Sequence, residues 1–247
     1  MFYFLVWRDI KTRYAQSVLG IGWAVIQPLF SMIVFTIIFG NLARINSDNV
    51  PYAIFSYTAL VPWIYFSSAL SGSSSSLLNA SSMMTKVYFP RLIIPITPVI
   101  SKLMDFFIAL SILVIMMLFY GFSPKMEIFY LPFLIILMML TAAGLGMWFT
   151  ALSIQYRDIN YGMGFFIQLL MYAAPVVYPA SSLPESYRIF YGIFPMVGVI
   201  EGFRSSFLNT NPMPWDLISI GTVFSVLFFI SGVFYFNHME KYFSDVA

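Results

Sequence analysis

Long stretches without charge dominate the chain. Six runs of at least 19 residues contain no Asp, Glu, Lys or Arg. A membrane-spanning helix needs about 20 mostly apolar residues, whereas the strands of a membrane barrel are alternating segments of about 10. The runs are continuous, so they predict an all-α integral membrane protein with six transmembrane helices in one domain, residues 1–247. Trimmed at their flanks, the predicted spans cover residues 23–39, 52–78, 103–120, 128–152, 163–178 and 217–236.

An apolar stripe precedes the first span. Apolar residues recur at spacings of three and four, the period of a helix face. With basic residues opposite, this pattern predicts an amphipathic helix over residues 1–21 that lies in the membrane interface. The alternative is a continuous extension of the first span. The stripe consists of Tyr3, Trp7, Ile10, Tyr14, Val18 and Ile21.

The second span carries a polar stripe, which continues beyond its end. Such a face must turn toward protein or water inside a membrane. It fits close helix packing through small residues, and it also fits a polar translocation path; both hold at once if the face is shared. The stripe consists of Ser68, Ser71, Ser75, Asn79, Ser82 and Lys86.

The segment between the fifth and sixth spans is apolar but broken. Gly192, Pro195 and Gly198 interrupt it, and it carries Glu201 and Arg204 at a spacing that brings side chains together on one helix face. Residues 185–208 are therefore predicted to form a re-entrant hairpin on the outer side, buried against protein. An ordinary outer loop with amphipathic pieces is the alternative.

Composition excludes several classes of protein. Apolar residues make up 60% of the chain and charged residues 9%, against about 25% charged in soluble domains. A soluble enzyme is excluded, and 19% aromatic residues exclude disorder. The chain has no cysteine, no phosphate-binding loop and one histidine, His238. We therefore expect no catalytic residue, no metal and no cofactor in this chain, and the net charge of +2 without a basic cluster indicates no nucleic-acid partner.

Basic residues are distributed unevenly across the predicted membrane. Eight lie on the side of the two termini and four on the other, which predicts that both termini are cytoplasmic. Three of the eight, Arg8, Lys11 and Arg13, lie on the interfacial helix. They could steer an anionic lipid pyrophosphate by charge and fork geometry, or they could serve the orientation signal alone.

Several motifs, in order along the chain, resemble the membrane subunit of type-2 ABC exporters, in particular the permeases that export O-antigen, capsule or teichoic acid. They are RDIKTRYAQSVLGIGWAVIQPL (8–29), KVYFPRLIIP (86–95), YRDI (156–159), APVVYP (174–179), GFRSSF (202–207) and the tail MEKYFSDVA. The family commonly has Asn-Pro where this chain has Phe194-Pro195. Each motif alone is weak, but the ordered set covers nearly the whole chain.

This resemblance implies a six-helix subunit of the bacterial cytoplasmic membrane that pairs with a second copy of itself and with two copies of a cytoplasmic ABC ATPase. ATP and magnesium would bind to that partner. The implied substrate is a glycan on a polyprenyl-pyrophosphate lipid. The resemblance also implies that the outer hairpin gates the exit, with Glu201 and Arg204 as the outer-gate residues.

Because the sequence has no nucleotide-binding loop, the energy source is expected on a partner, and that partner must bind cytoplasmic segments of this chain. The two candidates are the loops between spans two and three and between spans four and five, with Lys86, Arg91, Arg157 and Asp158 as coupling residues. Asp158 could cap the helix that follows it. Arg157 could pair with an acidic groove of the ATPase or anchor at lipid phosphates.

Aromatic side chains offer a sugar chain tolerant contact with its C–H faces, and tyrosine adds a polar tip. We expect such contacts on the first and fifth spans and the outer hairpin, where the resemblance places the exit. Most of the other aromatic residues face lipid or the core. The predicted glycan path consists of Trp23, Phe30, Phe165, Tyr172, Tyr178 and Tyr191.

Other functions fit less of the sequence. A type-2 ABC exporter of a drug or small lipid is the main alternative, although the GIGW and KVYFPR segments favour a glycan. A membrane-embedded transferase lacks the acids, bases and metal ligands that its chemistry needs. A passive channel would need a charged ring or a filter-like loop.

Overall fold

A computed structural model describes residues 1–15, 20–80, 90–123, 126–156, 158–209 and 211–240. Within these ranges the chain forms α-helices, short 3₁₀ and π segments, and no strand, which confirms the all-helical prediction. The helices are α1 (Phe2–Ala15), α2 (Gly22–Phe35), α3 (Tyr52–Asn79), α4 (Ile93–Ser101), α5 (Leu103–Phe119), α6 (Leu131–Gln155), α7 (Asp158–Ala173), α8 (Glu185–Gly192), α9 (Pro195–Leu208) and α10 (Trp215–Met239).

Five helical segments of the described chain are long and apolar enough to cross a membrane. They are Gly22–Leu42, Tyr52–Asn79, Ile93–Phe119, Met126–Gln155 and Trp215–Met239. The helix at the fifth predicted span, α7, has 16 residues, or about 24 Å at the rise of an α-helix. That is shorter than a hydrocarbon core of about 30 Å, so a sixth span remains a prediction.

The third of these segments differs from its predicted span. It begins at Ile93, ten residues before the predicted start, because α4 and α5 follow one another with only Lys102 between them. The charge at Lys102 interrupted the apolar run in the sequence. In the structure its ammonium lies 3.5 Å from the carboxylate of Asp105, and this pairing lets one long helical segment carry the charge.

The central helix of the bundle is α3. It packs against α2, α4, α5, α6, α7 and α9, and most of its side chains are buried. Helices α6 and α10 cross closely: a Cβ at Gly144 would lie 2.5 Å from the backbone of Phe228, and a Cβ at Gly232 would lie 2.5 Å from the carbonyl oxygen of Gly144. By contrast, α2 and α7 lie at the periphery: the only buried side chains are Pro28 in α2 and Met163 in α7.

The N-terminal helix is separate from the first long apolar helix. Gly20 adopts a positive φ of 48°, which glycine tolerates, and α2 begins at Gly22. Helix α1 packs on α4 and buries Leu5, while Tyr3 and Trp7 remain exposed. Its placement in the membrane interface remains a prediction.

Side-chain contacts define two ends of the bundle. At the end that carries α1, Arg13 pairs with Asp105 of α5; we call it the α1 end. At the opposite end, α8 and α9 form a helical pair that breaks at Ile193–Phe194, where Pro195 starts α9. We call this the hairpin end. Every residue of α9 is buried, against α3, α6 and α10, so the helix is covered by protein; its re-entry into the membrane remains a prediction.

Candidate functional site

A wide cleft of about 500 Å³ opens beside the central helix. Helix α3 forms the floor of the cleft. Helix α7 contributes one wall at Gly164, where a Cβ would meet no atom within 4 Å. Small hydroxyl side chains and two cations therefore face one open space. The lining residues are Arg13, Ser67, Ser68, Ser71, Gly72, Lys102, Gly164 and Ile167.

The serines of α3 divide into two groups. Ser67, Ser68 and Ser71 line the cleft, which places two members of the predicted stripe there. Ser73 and Ser74, which are not members of that stripe, are fully buried. The stripe members Ser68 and Ser71 thus face an open space, and their part in a translocation path stays a prediction.

The buried serines join α3 to its neighbours through backbone carbonyls. Ser73 donates to the carbonyl of Pro95 at 2.7 Å, while Thr150 and Ser153 of α6 donate to the carbonyls of Ser73 and Ser74 at 2.7 and 2.9 Å. Each buried hydroxyl thus has a partner, as burial requires. These bonds hold α3, α4 and α6 together at the α1 end.

A cluster of charged side chains lies at the α1 end of the cleft. Arg13 of α1 contacts Asp9 at 3.0 Å and Asp105 of α5 at 2.9 Å. Lys102 contacts the same oxygen of Asp105, Oδ2, at 3.5 Å. Tyr14 also donates a hydrogen bond to Asp105. This cluster ties the N-terminal helix to the start of α5.

Two smaller cavities adjoin the cluster. One of about 140 Å³ is lined by Arg13, Lys102 and Trp23, and the other, of about 160 Å³, by Arg8 and Arg13. Lys11 is exposed elsewhere on α1. Of the three predicted lipid-pyrophosphate residues, the structure therefore places Arg8 and Arg13 in this region, with Arg13 at its centre.

Sequence reasoning missed Asp9, Lys102 and Asp105 as members of a site. Lys102 was counted only as part of the orientation bias. The available signal was an acid and a base three residues apart at the start of an apolar helix, a spacing at which helical side chains meet.

Four of the predicted glycan-path residues are exposed. On α2 these are Trp23 (54%) and Phe30 (64%), and on α7 they are Phe165 (68%) and Tyr172 (54%). Each pair is seven residues apart and so shares one helix face. Since α2 and α7 both pack on α3, the structure places large exposed aromatic rings on two of the helices that contact the central helix.

The other two glycan-path residues bond to each other. Tyr191 donates to the hydroxyl of Tyr178 at 2.9 Å, and Tyr178 donates to the carbonyl of Tyr172 at 3.0 Å. Burial, helped by the hydrogen bond to Tyr178, raises the pKa of Tyr191 above its ordinary value, so this phenol stays neutral at physiological pH. The three tyrosines link α8 to the end of α7.

The predicted outer-gate residues form a buried ion pair. Arg204 contacts Glu201 at 2.8 Å, and its guanidinium also donates to the carbonyls of Val176 and Tyr178 at 3.2 Å or less. The same oxygen of Glu201 accepts from the amide of Ala180 at 2.9 Å. The ion pair of Glu201 and Arg204 therefore holds the non-helical segment after α7 through its backbone groups.

Two aromatic side chains at the start of α3 contact the same region. The guanidinium of Arg204 lies 3.7 Å from the ring centre of Phe55, a cation–π contact. Tyr52 donates to the carbonyl of Val177 at 2.7 Å. The start of α3 and α9 thus hold the end of α7 between them.

The predicted coupling residues lie at the α1 end or outside the described residues. Arg91 donates to the carbonyl of Glu240 at 3.1 Å, beyond the end of α10. Asp158 is the first residue of α7, where its negative charge interacts favourably with the positive end of the helix dipole. Lys86 and Arg157 lie outside the described residues.

One further contact links α7 to α3 near the second coupling loop. Ser74 donates to the side-chain oxygen of Asn160 at 3.3 Å. The amide nitrogen of Asn160 is buried and has no hydrogen-bond partner. A buried polar group without a partner carries a cost in free energy.

The part of the chain that the structure describes holds no group of three or more His, Cys, Asp or Glu side chains suited to a metal ion. Its long apolar helices and its polar cleft define a multi-pass integral membrane protein. The chain belongs to the ABC-2 type transporter family, whose model matches residues 1–208. Membership makes it a membrane transport component that works with an ATPase partner.

Similar proteins extend the comparison over nearly the full chain. O-antigen export system permease proteins RfbA of Klebsiella pneumoniae and Myxococcus xanthus are 26% and 27% identical, over 97% and 96% of this chain and 92% of each of theirs. The polysialic acid transport protein KpsM of Escherichia coli is 22% identical over 81% of this chain and 78% of its own. The resemblance found in the sequence motifs is confirmed.

Proposed function

We propose that this chain is the permease subunit of an exporter that moves a polyprenyl-pyrophosphate-linked polysaccharide across the bacterial cytoplasmic membrane. Similar proteins named as polysaccharide exporters support the substrate class. The observations that carry the proposal are the hydroxyl-lined cleft beside α3 and the exposed aromatic rings on α2 and α7, two helices that pack on α3. A sugar chain needs both kinds of contact, weak enough to let it slide.

A second copy of the chain would complete the path. Helices α2 and α7 expose broad faces and bury only Pro28 and Met163 in this chain. In a two-fold dimer the same surface patch of each subunit meets its partner, so these faces would border a shared passage. Six spans, with α7 as the fifth, and cytoplasmic termini belong to this arrangement.

Energy would enter from two copies of an ATPase bound at the α1 end. The turn between α6 and α7, with Arg157 and Asp158, would contact the ATPase and move with it. The force would reach the hairpin end along α7, which contacts α3 through Asn160 at its start and is followed by the segment that Glu201 and Arg204 hold. Opening would then move Tyr178 and Tyr172 with the end of α7. The loop with Lys86 and Arg91 would be the second contact.

The aromatic path gives the first test. Replacing Phe165 and Tyr172 together with alanine is expected to lower surface glycan at least about tenfold, because two exposed contacts along α7 are lost. The measurement is surface polysaccharide on cells in which the variant replaces the native chain, with its membrane level and the copurified ATPase determined in parallel.

The control replaces an equally exposed ring outside the path. Phe234 of α10 is 73% exposed, and Phe234→Ala is expected to export normally. If the double variant exports like the wild-type chain at equal protein level, the aromatic path is refuted. If deletion of the native chain leaves surface glycan unchanged, the proposed substrate is wrong.

The orientation gives a second test. Ser123 lies exposed at the hairpin end, and Lys11 lies exposed on α1. A single cysteine is introduced at each of these positions in turn. Because the basic bias places the α1 end in the cytoplasm, an impermeant thiol reagent should label the variant at Ser123 in intact cells. The variant at Lys11 should react only after the cells are opened, and the reverse pattern would contradict the proposed topology.

A further inference from the structure

One carboxylate oxygen sits between two cations at the α1 end of the cleft. Oδ2 of Asp105 lies 2.9 Å from Nη1 of Arg13 and 3.5 Å from Nζ of Lys102. The two cations come from different helices, α1 and the start of α5, yet converge on one point. A planar guanidinium beside a compact ammonium is a combination that binds phosphate oxygens well. Asp105 thus occupies the position that an oxygen of a phosphate would take.

The point of convergence is accessible. Arg13, Lys102 and Asp105 retain 26%, 20% and 24% of their side-chain exposure. Arg13 and Lys102 both line the open cleft of about 500 Å³ and the adjoining cavity of about 140 Å³. A headgroup carried on a lipid chain could therefore reach both cations from the cleft without entering the buried core of the bundle.

Charge favours exchange of the carboxylate for a diphosphate. Asp105 brings one negative charge to two cations, whereas a diphosphate brings more charge and several acceptor oxygens. The one acid of α1, Asp9, contacts Arg13 at 3.0 Å, and Arg8 and Lys11 add two positive charges on the same helix. An anion with more charge than a carboxylate is thus attracted to the cluster.

We infer that Arg13 and Lys102 form the subsite for the diphosphate of the lipid-linked substrate, and that Asp105 is its built-in competitor. Binding of the diphosphate displaces Asp105 from the two cations. The ion pair between Arg13 and Asp105 joins α1 to α5, so its exchange loosens the N-terminal helix when substrate arrives. This inference rests on the proposed function and adds to it Lys102 and Asp105.

The test measures equilibrium binding of a radiolabelled short-chain polyprenyl diphosphate to the purified permease–ATPase complex in nanodiscs of neutral lipid. Arg13→Gln and Lys102→Gln should each weaken binding at least about tenfold, since each removes a charge-assisted contact. Asp105→Asn should tighten binding about three- to tenfold, because the competitor loses its charge. Opposite signs within one cluster separate these roles from simple loss of folding.

Arg44, which lies exposed between α2 and α3 at the hairpin end, gives a matched control. Arg44→Gln removes the same charge and should leave binding unchanged. Weaker or unchanged binding by Asp105→Asn would overturn the competitor role. Wild-type affinity in both Arg13→Gln and Lys102→Gln would overturn the subsite.

Two other sources of phosphate are distinguished by competition. A polyprenyl monophosphate and phosphatidylglycerol should each displace the labelled diphosphate at least about tenfold less well than unlabelled diphosphate does. Equal displacement by phosphatidylglycerol would mean a general site for anionic lipids and would overturn the inference.

Export measured in the same variants keeps the two proposals apart. Normal glycan export with wild-type diphosphate binding in the Arg13 and Lys102 variants would refute the subsite and leave the proposed function intact. Unchanged surface glycan in cells without the chain, together with the expected binding changes, would refute the proposed function and leave the anion subsite.

Discussion

Replacing Arg204 with alanine is expected to remove most of the folded protein, because it leaves Glu201 charged and buried without its partner. Loss of one member of a buried ion pair costs about 3–5 kcal/mol, and Arg204 is only 1% exposed. The carbonyls of Val176 and Tyr178 would lose their donor in the same variant. The measurement is the unfolding temperature of purified protein together with its level in membranes.

Two further variants sharpen this prediction. Arg188→Ala breaks an ion pair with Asp216 whose side chains are about half exposed, and such a pair contributes about 0–1 kcal/mol. Replacing Glu201 by Gln together with Arg204 by Met should recover part of the lost stability, since no unpaired charge remains. Equal losses in Arg204→Ala and Arg188→Ala would show that the buried pair does not hold the end of α7.

The second large effect is expected at the crossing of α6 and α10. A Cβ at position 232 would lie 2.5 Å from the carbonyl oxygen of Gly144, which is backbone and cannot rotate away. Gly232→Ala should therefore push the two helices apart and lower the free energy of unfolding by about 1–3 kcal/mol. Thermal or denaturant unfolding in detergent gives the measurement.

Gly162 of α7 is the matched control. A Cβ there meets no atom within 4 Å, and alanine is favoured over glycine within a helix by about 1 kcal/mol. Gly162→Ala should therefore keep or raise the stability of the protein. A stable Gly232→Ala variant would mean that α6 and α10 do not approach as closely as the structure places them.

The two predictions concern different parts of the molecule. The crossing at Gly144 and Gly232 makes α6 and α10 a rigid pair, whereas α7 has one buried side chain and depends on bonds at its ends. Few buried contacts allow an element to move at low cost.

Much of the architecture follows from the order of residues alone. Charge-free runs longer than a bilayer helix predict membrane spans because backbone groups in lipid must bond within their own segment. The break at Gly192 and Pro195 predicted the boundary between α8 and α9. These features depend on local backbone preferences and on transfer to lipid, which neighbouring elements change little.

The contacts of the buried polar residues could not be predicted from any local sequence pattern. The spacing of Glu201 and Arg204 predicted that they meet, but not that they hold the carbonyls of Val176 and Tyr178, which lie more than 20 residues away. The serines of α3 have similar side chains, and only the position of α6 and α7 decides that Ser73 packs while Ser71 faces the cleft.

The sequence by itself determined that this is an all-helical membrane protein of a transporter family, because hydropathy and ordered motifs are properties of the chain. Only the tertiary structure decided that Lys102, an interruption in an apolar run, shares the carboxylate of Asp105 with Arg13. The physical reason is that electrostatic energy depends on distance and burial, and residues 13 and 105 become neighbours only when α1 docks on the bundle.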